Sequence, residues 1–345
     1  MYILGIESSC DDTSVALLDS SDEGQFVIKE KTASQIDIHK KYGGVVPEIA
    51  GRRHAEKIVP LIEEVLDGQP TPDAIAVTAG PGLITGLLVG VTAAKTLSLA
   101  KNIPLVPVNH IKGHIHSVEI AADTTTPREL ISFPALCLVV SGGHTELILM
   151  KSNTDHIILG LTKDDAAGEC FDKVAKLVGF DYPGGPSISK MGTTGRADAI
   201  SFPRPMLKEP NLHFSFAGLK TSALYWLRDN KFTKNITKED FCASFEQAIV
   251  DVLVAKTLKA AGTSQPKSLV LAGGVSANKK LRNSLENKVK EQFPTTNFLM
   301  ALPQYCMDNG AMIAAAGYYA ARDKKFIPWD KFNVNPNWKV GPIVQ

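Results

Sequence analysis

Two stretches of the sequence share one order of residues. "YILGIESSCDDTSVALLDS" (2–20) and "ALCLVVSGGHTELILMKS" (135–152) are each an apolar run, a small polar turn, and a second apolar run closing on a polar residue. Apolar runs of this length around Gly, Ser and Asp read as β-hairpins. Turns of small residues let the backbone come close to a ligand. Two such hairpins about 130 residues apart point to a duplicated, two-lobed fold. A third stretch, "SLVLAGGVSANKKLRNSLE" (268–286), reads as a buried strand at 268–272, a Gly273-Gly274 turn, and a helix with Ser276 as its N-cap. The segment "AIAVTAGPGLITGLLVG" (74–90) repeats that order. A strand, a glycine turn and a helix N-terminus together form a natural anion or nucleotide site. Helical patterns at 47–67, 164–179, 216–230 and 239–261 lie between the strands. Alternating strands and helices make the class α/β.

Composition narrows the function classes. A chain of 345 residues is one large domain or two of ordinary size. Its net charge of +1 is not that of a nucleic-acid coat protein, so a nucleic-acid partner needs a local patch or help from other subunits. "GRRH" (51–54) and "NKKLRN" (278–283) are basic runs that fit either phosphate contact or a solvated helix face. The five cysteines are widely spaced and form no CxxC pair, which reads as reduced thiols in a cytosolic protein. "MYILGIESSCDDTS" starts directly in a strand pattern, without the basic start and apolar stretch of a signal peptide. "GLLVGVTAAKTLSLA" (86–100) is short and carries Lys95, so a buried helix is expected there rather than a membrane span. The expected location is cytoplasmic, with no membrane association.

"NHIKGHIHS" (109–117) holds three histidines. His110 and His114 are four apart, which on a helix puts both rings on one face, within reach of one metal ion. The spacing matches the zinc-peptidase motif HExxH, but Ile111 stands where that motif has its general-base Glu. On spacing alone, a metal pair and a pair of surface or core histidines both remain open. So do two readings of Asp308, which precedes the helix-like run "GAMIAAAGYYAARDK": ligand or helix N-cap.

The order of "GIESSCDDTSVAL", "GPGLITGLLVG", "NHIKGHI", "VVSGGHTEL", "DDAAGECFDKVAKLVG", "YPGGP", "FSFAGLKT", "LAGGVSAN" and "CMDNGAM" resembles that of the bacterial TsaD family over essentially the whole chain. The resemblance implies the two-lobed fold of actin, Hsp70 and sugar kinases, with a duplicated core and an active-site cleft between the lobes. The lobes are expected at 1–127 and 128–345, with the last helix, about 308–323, packing back between them. It implies an acyltransferase-type tRNA-modifying enzyme. The group transferred is threonylcarbamoyl, from threonylcarbamoyl-AMP to N6 of the adenosine beside the anticodon, position 37, in tRNAs reading codons that begin with A. The implied partners are TsaB and TsaE, and TsaC or its relative supplies the adenylate.

The resemblance also assigns residues. His110, His114 and Asp308 become the ligands of one divalent metal: iron by family assignment, with zinc and magnesium open. Archaeal and eukaryotic relatives carry a tyrosine before the Val-Ser-Gly-Gly turn; here that place is Val139, so no phenolate is available. The turn Val139, Val140, Ser141, Gly142 and Gly143 becomes the phosphate-facing loop. Asp172 falls where a ribose hydroxyl is held, although Glu169 and Lys173 beside it also make a charged helix face. Gly185 passes close to the nucleoside, and Asn278 contacts its base or sugar. Ser189 replaces an Asp common in the family, so a contact there is expected to be uncharged. Among the carboxylates of the first hairpin, Asp11 is expected to orient the amine or accept its proton, and Asp12 to be solvated. His116 is expected to be a bystander. The small residues Gly86, Gly90, Ala93 and Ala94 suit either close packing against TsaB or a buried core helix. Three other functions stay open: a metallopeptidase, the activity behind the family's older name O-sialoglycoprotein endopeptidase; an actin-fold ATPase or kinase; and a non-catalytic scaffold.

Overall fold

The structure, a computed structural model, describes residues 1–21, 23–126 and 128–344. Both expected hairpins form. β1 (Tyr2–Glu7) runs antiparallel to β2 (Asp12–Ser21), and β2 to β3 (Gly24–Ser34). β4 (Ala74–Gly80) lies parallel to β1, β5 (Leu105–Asn109) parallel to β4, and β6 (Ile120–Ala121) parallel to β3. The order of this sheet is β5-β4-β1-β2-β3-β6. In the second sheet β7 (Ala135–Val140), β8 (Thr145–Met150) and β9 (His156–Leu161) run antiparallel in sequence, and β10 (Ser268–Ala272) lies parallel to β7. With β11 (Asn297–Met300) the order is β11-β10-β7-β8-β9. Five strands of the first sheet therefore recur in the same order in the second. The duplication suggested by two hairpins extends through all five strands of the second sheet, and among the described residues β6 is the one strand of the first sheet without a counterpart.

The helices of the first unit that precede the second sheet are α1 (Ile36–His39), α2 (Pro47–Leu66), α3 (Ile84–Lys101) and α4 (His110–His116). β1 is apolar without interruption because both its faces are covered. Leu4 and Ile6 pack with Ile58, Ile62 and Val65 of α2 and with Val91 and Ala94 of α3. Helix α3 is long and apolar enough to cross a membrane by length and composition, but its small residues serve the sheet. A Cβ on Gly86 would stand 2.2 Å from the Ser8 carbonyl oxygen, and one on Gly90 2.3 Å from Ser8 Oγ. The glycines expected to offer a partner a close approach thus face inward. Ile84, Leu88 and Leu99 are exposed instead.

The second sheet carries α5 (Ala167–Leu177), α6 (Gly184–Gly192), α7 (Ala217–Asp229), α8 (Lys238–Ser264) and α9 (Lys279–Gln292). A capping box starts α8: Asp240 N donates to Thr237 Oγ1 at 3.2 Å, and Thr237 N to Asp240 Oδ2 at 3.1 Å. Thr237→Ala is expected to cost about 1 kcal/mol, read as a lower urea midpoint with an unchanged slope. The N-cap of α9 differs from expectation. A 3-10 turn at Gly274–Ala277 takes the place of the first helical turn, and Asn278 is the cap, its Oδ1 accepting from Leu281 N at 2.9 Å. Gly273 sets that turn at φ +88°, where a Cβ would lie 2.5 Å from the Val140 carbonyl oxygen.

The last helix, α10 (Gly310–Arg322), corrects the expected division of the chain. Two compact units are present, Met1–Ile131 with Met300–Val340, and Ser132–Leu299 with the segment from Gly341. Pro127, at the expected 127/128 boundary, lies outside the described residues. The chain passes from the first unit to the second between Ile131 and Ser132. Residues 300–340 belong to the first unit because α10 packs there: Ala311, Ala314, Ala315 and Tyr318 cover Ile3, Ala16, Ala76 and Val108, on the face of the sheet opposite α2 and α3.

Candidate functional site

Asn109 caps α4, its Oδ1 accepting from Ile111 N at 2.9 Å, so the helix begins at His110. His110 and His114 then fall one turn apart, both buried, with ring centroids 4.6 Å apart edge to face. Asp308 meets them from the turn before α10. Its Oδ1 lies 3.2 Å from His114 Nε2 and 3.6 Å from His110 Nε2. One ligand atom from each residue lies within 4.8 Å of the others. The competing role for Asp308, capping α10, is filled by Asn309, whose Oδ1 accepts from Met312 N at 2.7 Å.

The donor set fits a metal. His110 Nδ1 lies 3.0 Å from Glu7 Oε2 and 3.1 Å from Ser9 Oγ. A carboxylate only accepts, so Nδ1 carries the proton and Nε2 is left with the lone pair. That lone pair and the Asp308 oxygen are two acceptors near one another, an arrangement that calls for a cation. A proton can serve: burial disfavours it, but Asp308 and Glu7 outweigh burial and lift the His110 pKa to about 9. His114 adds a second sign, since its ring nitrogens are buried and make no hydrogen bond. A metal ion would satisfy both rings.

Glu7 was legible in the sequence only as one of three acids near a turn. In the structure it is fully buried. Ser9 N donates to its Oε1 at 2.5 Å and Thr78 Oγ1 to its Oε2 at 2.7 Å. Burial pushes this carboxyl up, but the His110 ring beside it brings it below its ordinary value. Carboxylates in this place fix the tautomer and orientation of a metal-binding histidine. An acid ending a continuously apolar strand was the available signal. Glu7→Gln puts an amide donor among donors. It is expected to weaken metal affinity about 10- to 100-fold, measured by competition with a chelator.

Asp12 is buried rather than solvated, because β2 starts there and pairs it with Ser34. Burial raises its pKa to about 7. Asp11 is partly buried; burial and then the charge of Asp308 push its pKa up, which makes it a better proton acceptor than an ordinary carboxylate. His116 does stand apart: its Nδ1 lies 2.8 Å from Glu119 Oε2, which also accepts from the Tyr319 hydroxyl at 2.9 Å.

In the second unit, Val139 and Val140 are buried at the end of β7, Ser141 is buried, and Gly142 and Gly143 are exposed at the tip of the turn. Ser141 N donates to the His144 carbonyl at 2.8 Å, and the Ser141 carbonyl accepts from Gly168 N at 3.2 Å. The turn is thereby tied to the N-terminus of α5. Asp172 stands off the charged face formed by Glu169 and Lys173, which pair at 2.7 Å. Its Oδ1 accepts from Gly184 N at 2.7 Å and Gly185 N at 3.3 Å, at the start of α6. A ligand hydroxyl would share this carboxylate with the helix. Gly185 is open: a Cβ there would come no nearer than 3.8 Å to Phe171. Asn278 Nδ2 donates to Ser189 Oγ of α6 at 2.9 Å. The starts of α5, α6 and α9 are thus linked to the expected nucleotide residues, and each carries the positive end of a helix dipole.

A family model described as TsaD, tRNA N6-adenosine threonylcarbamoyltransferase, matches residues 26–315. The chain belongs to the TsaD family. That membership makes it a transferase that modifies tRNA. It is 44% identical over 348 aligned positions to the tRNA N6-adenosine threonylcarbamoyltransferase of Thermotoga neapolitana, covering 99% of this chain and 100% of that one. The protein of the same name from Bacillus subtilis is 48% identical, over 93% of this chain and 90% of that one. Among solved structures, full-length HypF in its phosphate- and nucleotide-bound form has a TM-score of 0.60 at 14% identity, covering 95% of this chain and 47% of HypF. At that identity the likeness speaks to the fold, which is the actin-like two-sheet architecture expected for the TsaD family.

Proposed function

We propose that this protein transfers the threonylcarbamoyl group of threonylcarbamoyl-AMP to N6 of adenosine 37 in tRNAs reading ANN codons, releasing AMP. The observation that carries the reading is the convergence of His110, His114 and Asp308, with Glu7 behind His110, in a chain of the TsaD family. The N6 nitrogen attacks the carbamoyl carbon, a C–N bond forms, the C–O bond to the AMP phosphate breaks, and N6 loses a proton. AMP is a good leaving group, so no covalent nucleophile on the protein is required. What the reaction does require is placement and stabilisation of developing negative charge.

The Val139–Gly143 turn holds the phosphate, Asp172 a ribose hydroxyl, and Gly185 and Asn278 border the nucleoside. Asp11 orients the amine or takes its proton. His110, His114 and Asp308 would hold a divalent ion, which would supply Lewis acidity for the developing negative charge. Two imidazoles and one carboxylate suit iron or zinc better than magnesium, which takes oxygen ligands. The peptidase reading has less support, because the buried Ile111 occupies the position of that motif's base.

The exposed stripe Ile84, Leu88 and Leu99 on α3 suits a TsaB-type partner. TsaE is the other partner, TsaC or its relative supplies the adenylate, and the setting is the cytoplasm. The test combines this protein with TsaB, TsaE, ATP, threonylcarbamoyl-AMP and an ANN-decoding tRNA. The tRNA is digested and threonylcarbamoyladenosine sought by mass spectrometry. Product that depends on this protein is expected. Its absence, while a known family member works with the same partners, would overturn the proposal.

A further inference from the structure

The Asn278 side chain is fully committed. Its Oδ1 accepts from Leu281 N, as the cap of α9. That bond decides which end of the amide is oxygen, because a backbone N–H can only donate. The two hydrogens on Nδ2 then go to Ser189 Oγ at 2.9 Å and to Glu246 Oε1 at 2.7 Å. An amide nitrogen has only these two. A ligand seeking a donor from Asn278 would have to displace one of them. Glu246 is a carboxylate 5% exposed on the long helix α8, and its Oε2 lies 4.0 Å from Lys280 Nζ. Ser189 is partly exposed on α6. Its oxygen already receives a hydrogen from Asn278, so its own O–H is directed elsewhere as a donor.

We infer that Glu246 is a positioning residue for the nucleoside subsite. Its carboxylate locks Asn278, Asn278 locks Ser189, and the Ser189 hydroxyl is the group that donates to a sugar hydroxyl of the adenylate. The inference rests on the reading above that the nucleoside lies at Gly185 and Asn278. It revises that reading in one respect: Asn278 acts through Ser189 rather than on the ligand. It also changes the meaning of a serine at position 189. The carboxylate expected on α6 is supplied one hydrogen bond further back, from α8, and the ligand meets a neutral, oriented hydroxyl.

The experiment is calorimetric titration of the folded protein with AMP, 2′-deoxy-AMP and 3′-deoxy-AMP. Loss of a net hydrogen bond weakens binding about 2- to 10-fold. Ser189→Ala is expected to weaken AMP by that factor while leaving one of the two deoxy analogues bound as by the unmodified protein. Glu246→Ala is expected to weaken AMP similarly, and the double variant to be no worse than either single one. Glu246→Gln, which keeps an acceptor for Asn278, is expected to restore affinity. A merely structural role for Glu246 would give additive losses and no dependence on the sugar hydroxyl. Additivity, or full AMP affinity in Glu246→Ala, overturns the inference while leaving the nucleoside reading intact if Asn278→Ala still weakens AMP. If AMP binds but Asn278→Ala, Ser189→Ala and Glu246→Ala all leave it unchanged, the nucleoside reading fails as well. Should Glu246→Ala not fold, Ser189→Ala with the two deoxy analogues decides by itself: equal loss for all three nucleotides overturns the inference.

Discussion

Asp308→Ala is expected to lower threonylcarbamoyl transfer by about 10²–10³-fold, the usual consequence of losing one well-placed electrostatic group. Asp308 is a clean target. Its side chain is 21% exposed, and Asn309, not Asp308, caps α10. The substitution therefore removes a ligand without removing a cap. It leaves two imidazoles and no carboxylate, too few to hold the ion firmly against water. Two measurements are needed: single-turnover transfer with tRNA and adenylate supplied, and metal content by atomic emission. Both should fall together while the thermal midpoint stays close to that of the unmodified protein. Asn309→Ala is the matched control, because it removes the cap at a cost of about 1 kcal/mol and should retain the metal. A folded Asp308→Ala protein that turns over at the normal rate would remove the ion from the chemistry.

The second large effect lies away from the site. Gly5→Ala is expected to destabilise the first unit by about 3 kcal/mol, the upper end for overpacking, because the obstructing atoms are mainly backbone. A Cβ on Gly5 would stand 2.1 Å from the Gly310 carbonyl oxygen and 2.6 Å from Ala314 N. Neither can rotate away, so α10 must shift bodily. Asp308 precedes that helix, and its distance to His110 and His114 should change with it. The expected result is a lower urea midpoint together with weaker metal retention. Gly262→Ala is the contrast: this glycine is exposed in α8 with nothing within 4 Å of the added carbon. The change there should be neutral or stabilising by up to about 1 kcal/mol, from helix propensity. A Gly5→Ala protein within about 0.5 kcal/mol of the original would mean that the α10–β1 contact yields easily.

The contrast between these glycines shows what was legible and what was not. Local order was. Apolar runs and small turns located β1, β2, β7, β8 and β10, and the run 268–272 coincides with β10. The four-residue spacing of His110 and His114 correctly implied one face of a helix. Such features depend on neighbours within a few residues, and periodicity reports them. Caps were read less well, because the choice between Ser276 and Asn278 depends on how Gly273 meets Val140, more than 130 residues earlier.

The two hairpins, the strand-turn-helix segments at 74–90 and 268–286, the suggestion of a duplication, the histidine pair and, through its motifs, the family were all legible in the sequence. The packing of distant segments settled the rest: residues 300–340 return to the first unit, Asn309 and not Asp308 caps α10, Glu7 stands behind His110, and Glu246 holds Asn278. The reason is physical. A carboxylate or a glycine carries the same letter in a solvated turn as in a packed core. Its role is set by which distant atoms the fold brings within about 3 Å of it, at the range of a hydrogen bond.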